Sequence, residues 1–409
     1  MTATPVIADG KVFVQDLESN VFALDIRTGK ILWRRLFEAT SPGPNGLAVA
    51  AGRVYGVTDA AAFALSAKTG RVLWRRLLVR PTEQYVETAP LVDGGRMYVS
   101  TIGLPPGGRG ALYALDAATG RLDWRFATIK GSWRVPGEAG GGGAWYPPSV
   151  ANGIVYWGTT NPYPYGGTVA HPNGGAYAGP ALYTDSLLAL DAGSGRLLWY
   201  DQVTTHDVRD YDFQLPPILV GHLVIGAGKA GRVIAWSTHT HERVWSASVG
   251  LHRNDAGPLP PRFVRVCPGL LGGVETPMAY ADGRVFVPVV DLCMEGSAHG
   301  YVPLGRVNVA LGRGELVALD AATGKRLWVD RLEEPDFGCA TVAHGVVFTS
   351  TFDGKLIGVD ARTGGRIVVR RLTAGINACP AISGDVVVLA AGVRLAKGDV
   401  LEVEAFSTG

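Results

Sequence analysis

The sequence predicts an all-β fold, an eight-bladed β-propeller of four-stranded antiparallel blades, with seven blades as the alternative count. Three observations carry this. A phrase recurs along the chain: A-L-D, two variable residues, T-G, three more residues, then Trp. Its clearest copies are Ala23-Leu24-Asp25…Thr28-Gly29…Trp33, Ala114…Gly120…Trp124 and Ala318…Gly324…Trp328, with Ser194 replacing Thr in Ala189…Gly195…Trp199. Each unit also breaks into four short apolar runs separated by Gly, Asp and Asn. No amphipathic helical stretch of useful length interrupts the pattern. Self-similarity at a fixed period marks a repeat architecture, in which stacked units bury faces that none can bury alone.

The first unit illustrates the rest. Thr4-Pro5-Val6-Ile7 opens it, Asp9-Gly10 turns, and Val12-Phe13-Val14 returns. A second turn near Ser19-Asn20 leads into Val21–Asp25, and Thr28-Gly29 turns into Ile31-Leu32-Trp33. β-branched and aromatic runs bounded by turn residues read as hairpins. Gly29 and its counterparts are expected to supply a left-handed turn position, and each Trp to sit on an outer strand against the next blade. Weaker copies lie at Ala64…Gly70…Trp74, Ala235…His241…Trp245 and Val359…Gly364…Val368, and a fragment closes the chain at Thr408-Gly409.

The Gly-position residues fall at 29, 70, 120, 195, 241, 324, 364 and 409, so a bare blade takes about 40 residues. The two widest intervals carry Gly- and Pro-rich insertions near 125–183 and 246–312. Residues 1–409 thus read as one propeller domain, and long loops gathered on one face are where function is expected. Met1 falls directly before a blade start, so the chain reads as a piece of a longer protein.

Composition narrows the partners. Hydrophobic residues make up 47% and charged residues 18%, with a net charge of +2. Lysine and arginine are scattered through turns, which gives no footprint for nucleic acid. No apolar run is long enough for a transmembrane segment, and no signal peptide is visible in this chain. The four cysteines have no C-x-x-C spacing, which argues against a zinc site. Cys339 and Cys379 are 40 residues apart, one blade period, so they occupy equivalent positions on neighbouring blades. Either a bridge or two buried thiols fits that placement. Disulfides would point to an oxidising compartment.

Chemistry concentrates directly after Trp199. In Tyr200-Asp-Gln-Val-Thr-Thr-His206-Asp207-Val-Arg209-Asp210-Tyr211-Asp212, three carboxylates and a histidine fall within seven positions. In an extended segment Asp210 and Asp212 would face the same side. Two such carboxylates suit a hard cation with oxygen ligands, or equally a turn whose carboxylates cap backbone N–H groups.

This stretch resembles the active-site segment of the pyrroloquinoline quinone (PQQ)-dependent alcohol dehydrogenases, close to W-Y-x-Q-x-x-x-H-D-x-W-D-Y-D, with Arg209 in place of the Trp. The family's propeller carries the same A-x-D-x-x-T-G-x-x-x-W repeat. The resemblance implies an extracytoplasmic quinoprotein that passes hydride from an alcohol to metal-bound PQQ. Asp210 would be the catalytic base and Asp212 the extra carboxylate of lanthanide-using members.

Other segments agree in order along the chain. Gly140–Gly143 with Ala144-Trp145 resembles the segment whose Trp stacks under the quinone. Asn161 in Asn161-Pro162 resembles the metal-ligating Asn. Lys229 in Gly228-Lys229-Ala230-Gly231 resembles the lysine that polarises the quinone carbonyl. Arg109 in Gly108-Arg109-Gly110 and Thr88 in Thr88-Ala89-Pro90 match cofactor-contacting positions. Cys267-Pro268-Gly269 and Cys293 match a cysteine pair, which implies a disulfide. The resemblance further implies Ca²⁺ or a lanthanide as the metal, an alcohol substrate and an electron-acceptor protein.

The chain departs from the family at definite places. Pro105 stands where a metal-ligating Glu is expected, and Ile102 where a small residue is usual. Glu275 replaces an Asn and offers a substitute negative charge in the cofactor pocket. No adjacent cysteine pair exists, and no C-x-x-C-H haem motif. The alternatives are a non-catalytic propeller resembling the outer-membrane assembly lipoproteins, acting as a protein-binding scaffold, or a family member that has lost its cofactor.

Overall fold

The structure is a computed structural model, and it describes residues 3–41, 43, 45–80, 82–103, 107–130, 140–175 and 180–407. Pro105 and the closing Thr408-Gly409 fragment lie outside the described residues, as does part of the 125–183 insertion. Among the described residues, eight antiparallel sheets of four or five strands follow one another along the chain, spanning 6–35, 48–77, 91–127, 149–202, 218–248, 279–332, 341–371 and 375–407, and two smaller sheets lie in the insertions. In each of the first seven, the strands run in chain order from the inner to the outer edge. The third has a short extra strand, Gln84–Tyr85, paired with Ile102–Gly103.

The core lies between sheets rather than within any one of them. Phe13, Val21 and Ala23 of the first sheet pack with Phe63 and Leu65 of the second. Tyr156, Leu187 and Ala189 of the fourth meet Val224, Ile234 and Trp236 of the fifth. Comparable clusters fill each remaining interface, and the ring closes where Val388 of the last sheet packs with Val12 and Val14 of the first. Each sheet therefore buries both faces only because it has a neighbour on each side.

The repeated phrase explains this packing. Asp25 Oδ1 accepts hydrogen bonds from Thr28 N (2.9 Å) and Thr28 Oγ1 (2.8 Å), and Asp116, Asp191, Asp320 and Asp360 repeat the device. The Gly of the turn then adopts a left-handed φ, 68° at Gly29 and 73° at Gly120, and at Gly70, Gly120, Gly195, Gly324 and Gly364 it receives the tryptophan of the preceding blade. A Cβ on Gly120 would lie 2.6 Å from the Trp74 ring, and one on Gly195 2.6 Å from Trp124. The indole N–H completes the joint, Trp74 donating to Ala117 O (3.1 Å) and Trp124 to Ala192 O (2.9 Å). Where His241 replaces the Gly, Trp199 stacks on the imidazole at 4.9 Å instead.

Both disulfides form, Cys267–Cys293 and Cys339–Cys379. The second joins the segments leading into the seventh and eighth sheets, so the blade-period spacing places a bridge and not two thiols. The first holds an insertion whose small sheet pairs Val264–Val266 with Met294–Ser297. No helix among the described residues is long and apolar enough to cross a membrane.

Candidate active site

Asp207 builds the local frame. Its Oδ1 accepts from Arg209 N and its Oδ2 from Tyr211 N, both at 2.7 Å. These two caps turn the backbone between them, and Asp210 sits in the turn with φ 65°. That conformation is costly for a non-glycine residue and persists only where neighbours enforce it. The segment is consequently not an extended strand, and strict alternation does not explain how Asp210 and Asp212 come together. Lys229 brings them together, because its Nζ lies 2.9 Å from Asp210 Oδ2 and 2.6 Å from Asp212 Oδ2.

Lys229 is placed by the backbone. Its N–H donates to Asp212 O (3.0 Å), and the preceding Gly228 runs so close to the same carbonyl that a Cβ there would clash with it. Asp212 is fully buried and bonded through both oxygens. Besides Lys229, it accepts from Asn161 N (2.6 Å, to Oδ1) and from Trp145 Nε1 (3.2 Å, to Oδ2). Trp145, Asn161, Asp210, Asp212 and Lys229 thus converge from four separate stretches of sequence. Asn161 contributes its backbone N–H to Asp212, while its side-chain Nδ2 donates to Pro162 O at 2.8 Å.

These groups border a cavity of about 470 Å³ lined by Trp145, Tyr146, Tyr165, Asp210, Gln214, Lys229 and Glu275, among others. Glu275 Oε2 accepts from Gln214 Nε2 at 3.0 Å, and its buried Oε1 has no partner. Arg109 lies beside Gly141 in a parallel bridge, and Thr88 donates its hydroxyl to Ala144 O at 2.7 Å. Neither lines the cavity. Thr88 instead supports the carbonyl directly before Trp145. Arg209, where the resembled segment has Trp, donates to Asn254 O, Ala256 O and Gly257 O, so it fastens an insertion loop to this segment.

Electrostatics follow from burial. Burial pushes Asp210 well above the ordinary carboxylate range, the Lys229 charge opposing and Asp212 reinforcing the rise. Burial alone would lower Lys229, but the Asp210 and Asp212 charges outweigh it and hold the ammonium protonated. Burial also moves Glu275 up to about 7, and Asp207 to about 6 against its two backbone hydrogen bonds. Asp185 is fully buried beside these groups with neither carboxylate oxygen partnered, and burial raises it well above normal. Sequence reading did not single out Asp185 or Glu87. The one available signal was a carboxylate set directly before an apolar inner segment, as in Val86-Glu87-Thr88.

Comparisons with known proteins bear on the family and the fold. A PQQ-repeat family model described as outer membrane protein assembly factor BamB matches residues 18–258 and 312–407. Quinohemoprotein alcohol dehydrogenase ADH IIB of Pseudomonas putida is 33% identical over 245 residues, 52% of this chain and 35% of that protein. Quinoprotein alcohol dehydrogenase PedH of Pseudomonas putida is 26% identical over 432 residues, covering 85% of this chain and 71% of that protein. Several of the curated relatives match across only about a third of their own length. Among solved structures, the quinohemoprotein alcohol dehydrogenase of Comamonas testosteroni superposes with a TM-score of 0.84 at 22% identity, covering 100% of this chain and 74% of that one. A europium-containing methanol dehydrogenase gives 0.81 at 21% identity, covering 96% and 83%. The chain therefore belongs to the PQQ-repeat β-propeller family and is quinoprotein alcohol dehydrogenase-like.

Proposed function

We propose that this chain is the propeller of a quinoprotein dehydrogenase that oxidises an alcohol, with PQQ as hydride acceptor and Ca²⁺ or a lanthanide beside it. The observation that carries this reading is Lys229 held between Asp210 and Asp212 on the wall of a cavity that Trp145 also lines. The residues fit the two groups. Asp210, Asp212 and Glu275 outnumber the single ammonium, and Glu275 Oε1 and Thr160 Oγ1 are buried acceptors without partners. An excess of oxygen acceptors over positive charge suits a hard cation. An indole at the cavity wall suits a planar ring. Asn161, Asp210 and Asp212 would hold the metal, and Trp145, Lys229 and Glu275 would face the quinone, with Arg109 and Thr88 supporting that wall.

When bound, the quinone supplies a two-electron acceptor carbonyl whose electrophilicity the metal increases. The chain's own residues do the rest. Asp210 takes the hydroxyl proton of the alcohol on a carboxylate oxygen, and its raised pKa makes it a stronger base than an exposed carboxylate. Lys229 stays charged through its contact with Asp212 and offers its third proton to a developing negative oxygen. The caps from Asp207 keep Asp210 aimed while it gains and loses its proton. Two disulfides favour an extracytoplasmic setting, and an electron-acceptor protein would reoxidise the cofactor.

The test is reconstitution with PQQ plus Ca²⁺ or La³⁺, read by cofactor absorbance and dye-linked ethanol oxidation. Asp210→Asn should retain the absorbance and lose about 10²–10⁴-fold in rate. Absence of PQQ binding with either metal overturns the proposal. It would favour the second reading, a scaffold propeller without cofactor.

A further inference from the structure

Away from Asp210, five buried oxygens lack any hydrogen-bond partner in one neighbourhood: Gln15 Oε1, Ser41 Oγ, Asn45 Oδ1 and both carboxylate oxygens of Glu87. The four side chains are 0%, 2%, 3% and 1% exposed. Three stretches of chain meet there. Gln15 ends a strand of the first sheet, Ser41 and Asn45 lie on the connection to the second, and Glu87 precedes the third. They are tied together through Ser41 N to Leu17 O (2.7 Å), Asn45 Nδ2 to Asp16 O (2.9 Å) and Asn45 N to Gly43 O (2.7 Å). Gly43 presses against Glu87 so closely that a Cβ on it would lie 2.6 Å from a carboxylate oxygen.

The orientation of the amides is fixed. Gln15 Nε2 donates to Val57 O (2.7 Å) and Ser19 O (3.2 Å), which uses both of its N–H groups, and Asn45 Nδ2 donates to Asp16 O, which directs Asn45 Oδ1 away from that carbonyl. A buried carboxylate with no donor or counter-charge is strongly disfavoured, and buried polar groups are almost always satisfied. What the neighbourhood lacks is positive charge.

We propose that Gln15, Ser41, Asn45 and Glu87 form a binding site for a hard, oxygen-ligated cation of the Ca²⁺ class. The site shares no residue with the Asp210 cluster. It stands behind the stretch of cavity wall formed by Leu17 and Gly43, which a bound ion would brace. One carboxylate and three neutral oxygens leave coordination positions for water, and so few charged ligands place the affinity toward the weak, roughly 10⁻⁴–10⁻³ M end for Ca²⁺.

Crystals of the intact chain soaked in Tb³⁺, an anomalous stand-in for Ca²⁺, and separately in Tl⁺, a stand-in for K⁺, test this. A terbium peak should appear about 2.3–2.6 Å from the Glu87 carboxylate, with Gln15 and Asn45 oxygens completing its shell. The peak should vanish in Glu87→Gln, an isosteric change. In solution, millimolar Ca²⁺ should raise the Tm of Asp210→Asn, in which the other cation site has lost a charged ligand, and this rise should disappear in the Asp210→Asn/Glu87→Gln double variant. Density that fits only water, or a peak with thallium and none with terbium, overturns the proposal. The wild-type soak decides alone if the variant does not fold.

Discussion

Lys229 is one cation serving two carboxylates, and its removal leaves both buried without it. Lys229→Met should therefore cost about 3–5 kcal/mol of stability, measured by chemical denaturation, because an uncompensated buried charge is far costlier than a lost surface pair. Glu87 makes the opposite kind of prediction. Burial moves its carboxyl up to about 8. The folded state thus binds a proton that the unfolded chain releases near 4.5, so this group's effect is most favourable below that pH. Its contribution is lost progressively as pH rises toward 8. In EDTA, Glu87→Gln should flatten that loss and give a higher Tm than wild type at pH 8. Sequence reading found Asp210, Asp212, Lys229 and Trp145 because each sits in a stretch of unusual composition. It missed Glu87 and Asp185 because a lone carboxylate beside an apolar run looks like any turn residue until its burial is known.

At the scale of the element, the repeat works as a joint. The Asp and Thr shape the turn, the Gly leaves room, and the preceding tryptophan fills it. Two glycines with nearly the same backbone separate these roles. Gly52 has φ 71° with nothing within 4 Å of a Cβ, whereas Gly120 has φ 73° and faces the Trp74 ring at 2.6 Å. Gly52→Ala should cost about 1–2 kcal/mol, the ordinary strain of a left-handed alanine. Gly120→Ala should cost roughly 1–3 kcal/mol more, because the indole must also move. Equilibrium unfolding of the two variants side by side checks the difference. These turns were legible in sequence because the period is short and the residue types are demanding. The insertions were not, since Asn173 holds Leu259 and Arg209 holds 254–257 across many residues of sequence with no periodic sign.

In the whole molecule, stability is distributed around a ring in which each sheet completes its neighbours. Cys339–Cys379 joins the seventh and eighth sheets across 40 residues, close to the ring closure. Replacing both cysteines with serine should cost about 4 kcal/mol by loop-closure entropy. Calorimetry should register it as a lower Tm that reducing agent does not lower further at this bond. The sequence by itself determined the blades, their joints, the propeller family and the stretch in which the acidic residues cluster. All of these depend on local spacing, and local spacing is written directly in the chain. Only the tertiary structure decided that Lys229 lies between Asp210 and Asp212, that Thr88 supports the carbonyl before Trp145, and that Glu87 is buried without a partner. Those facts depend on distances between blades, which arise when the ring closes and which no stretch of sequence contains.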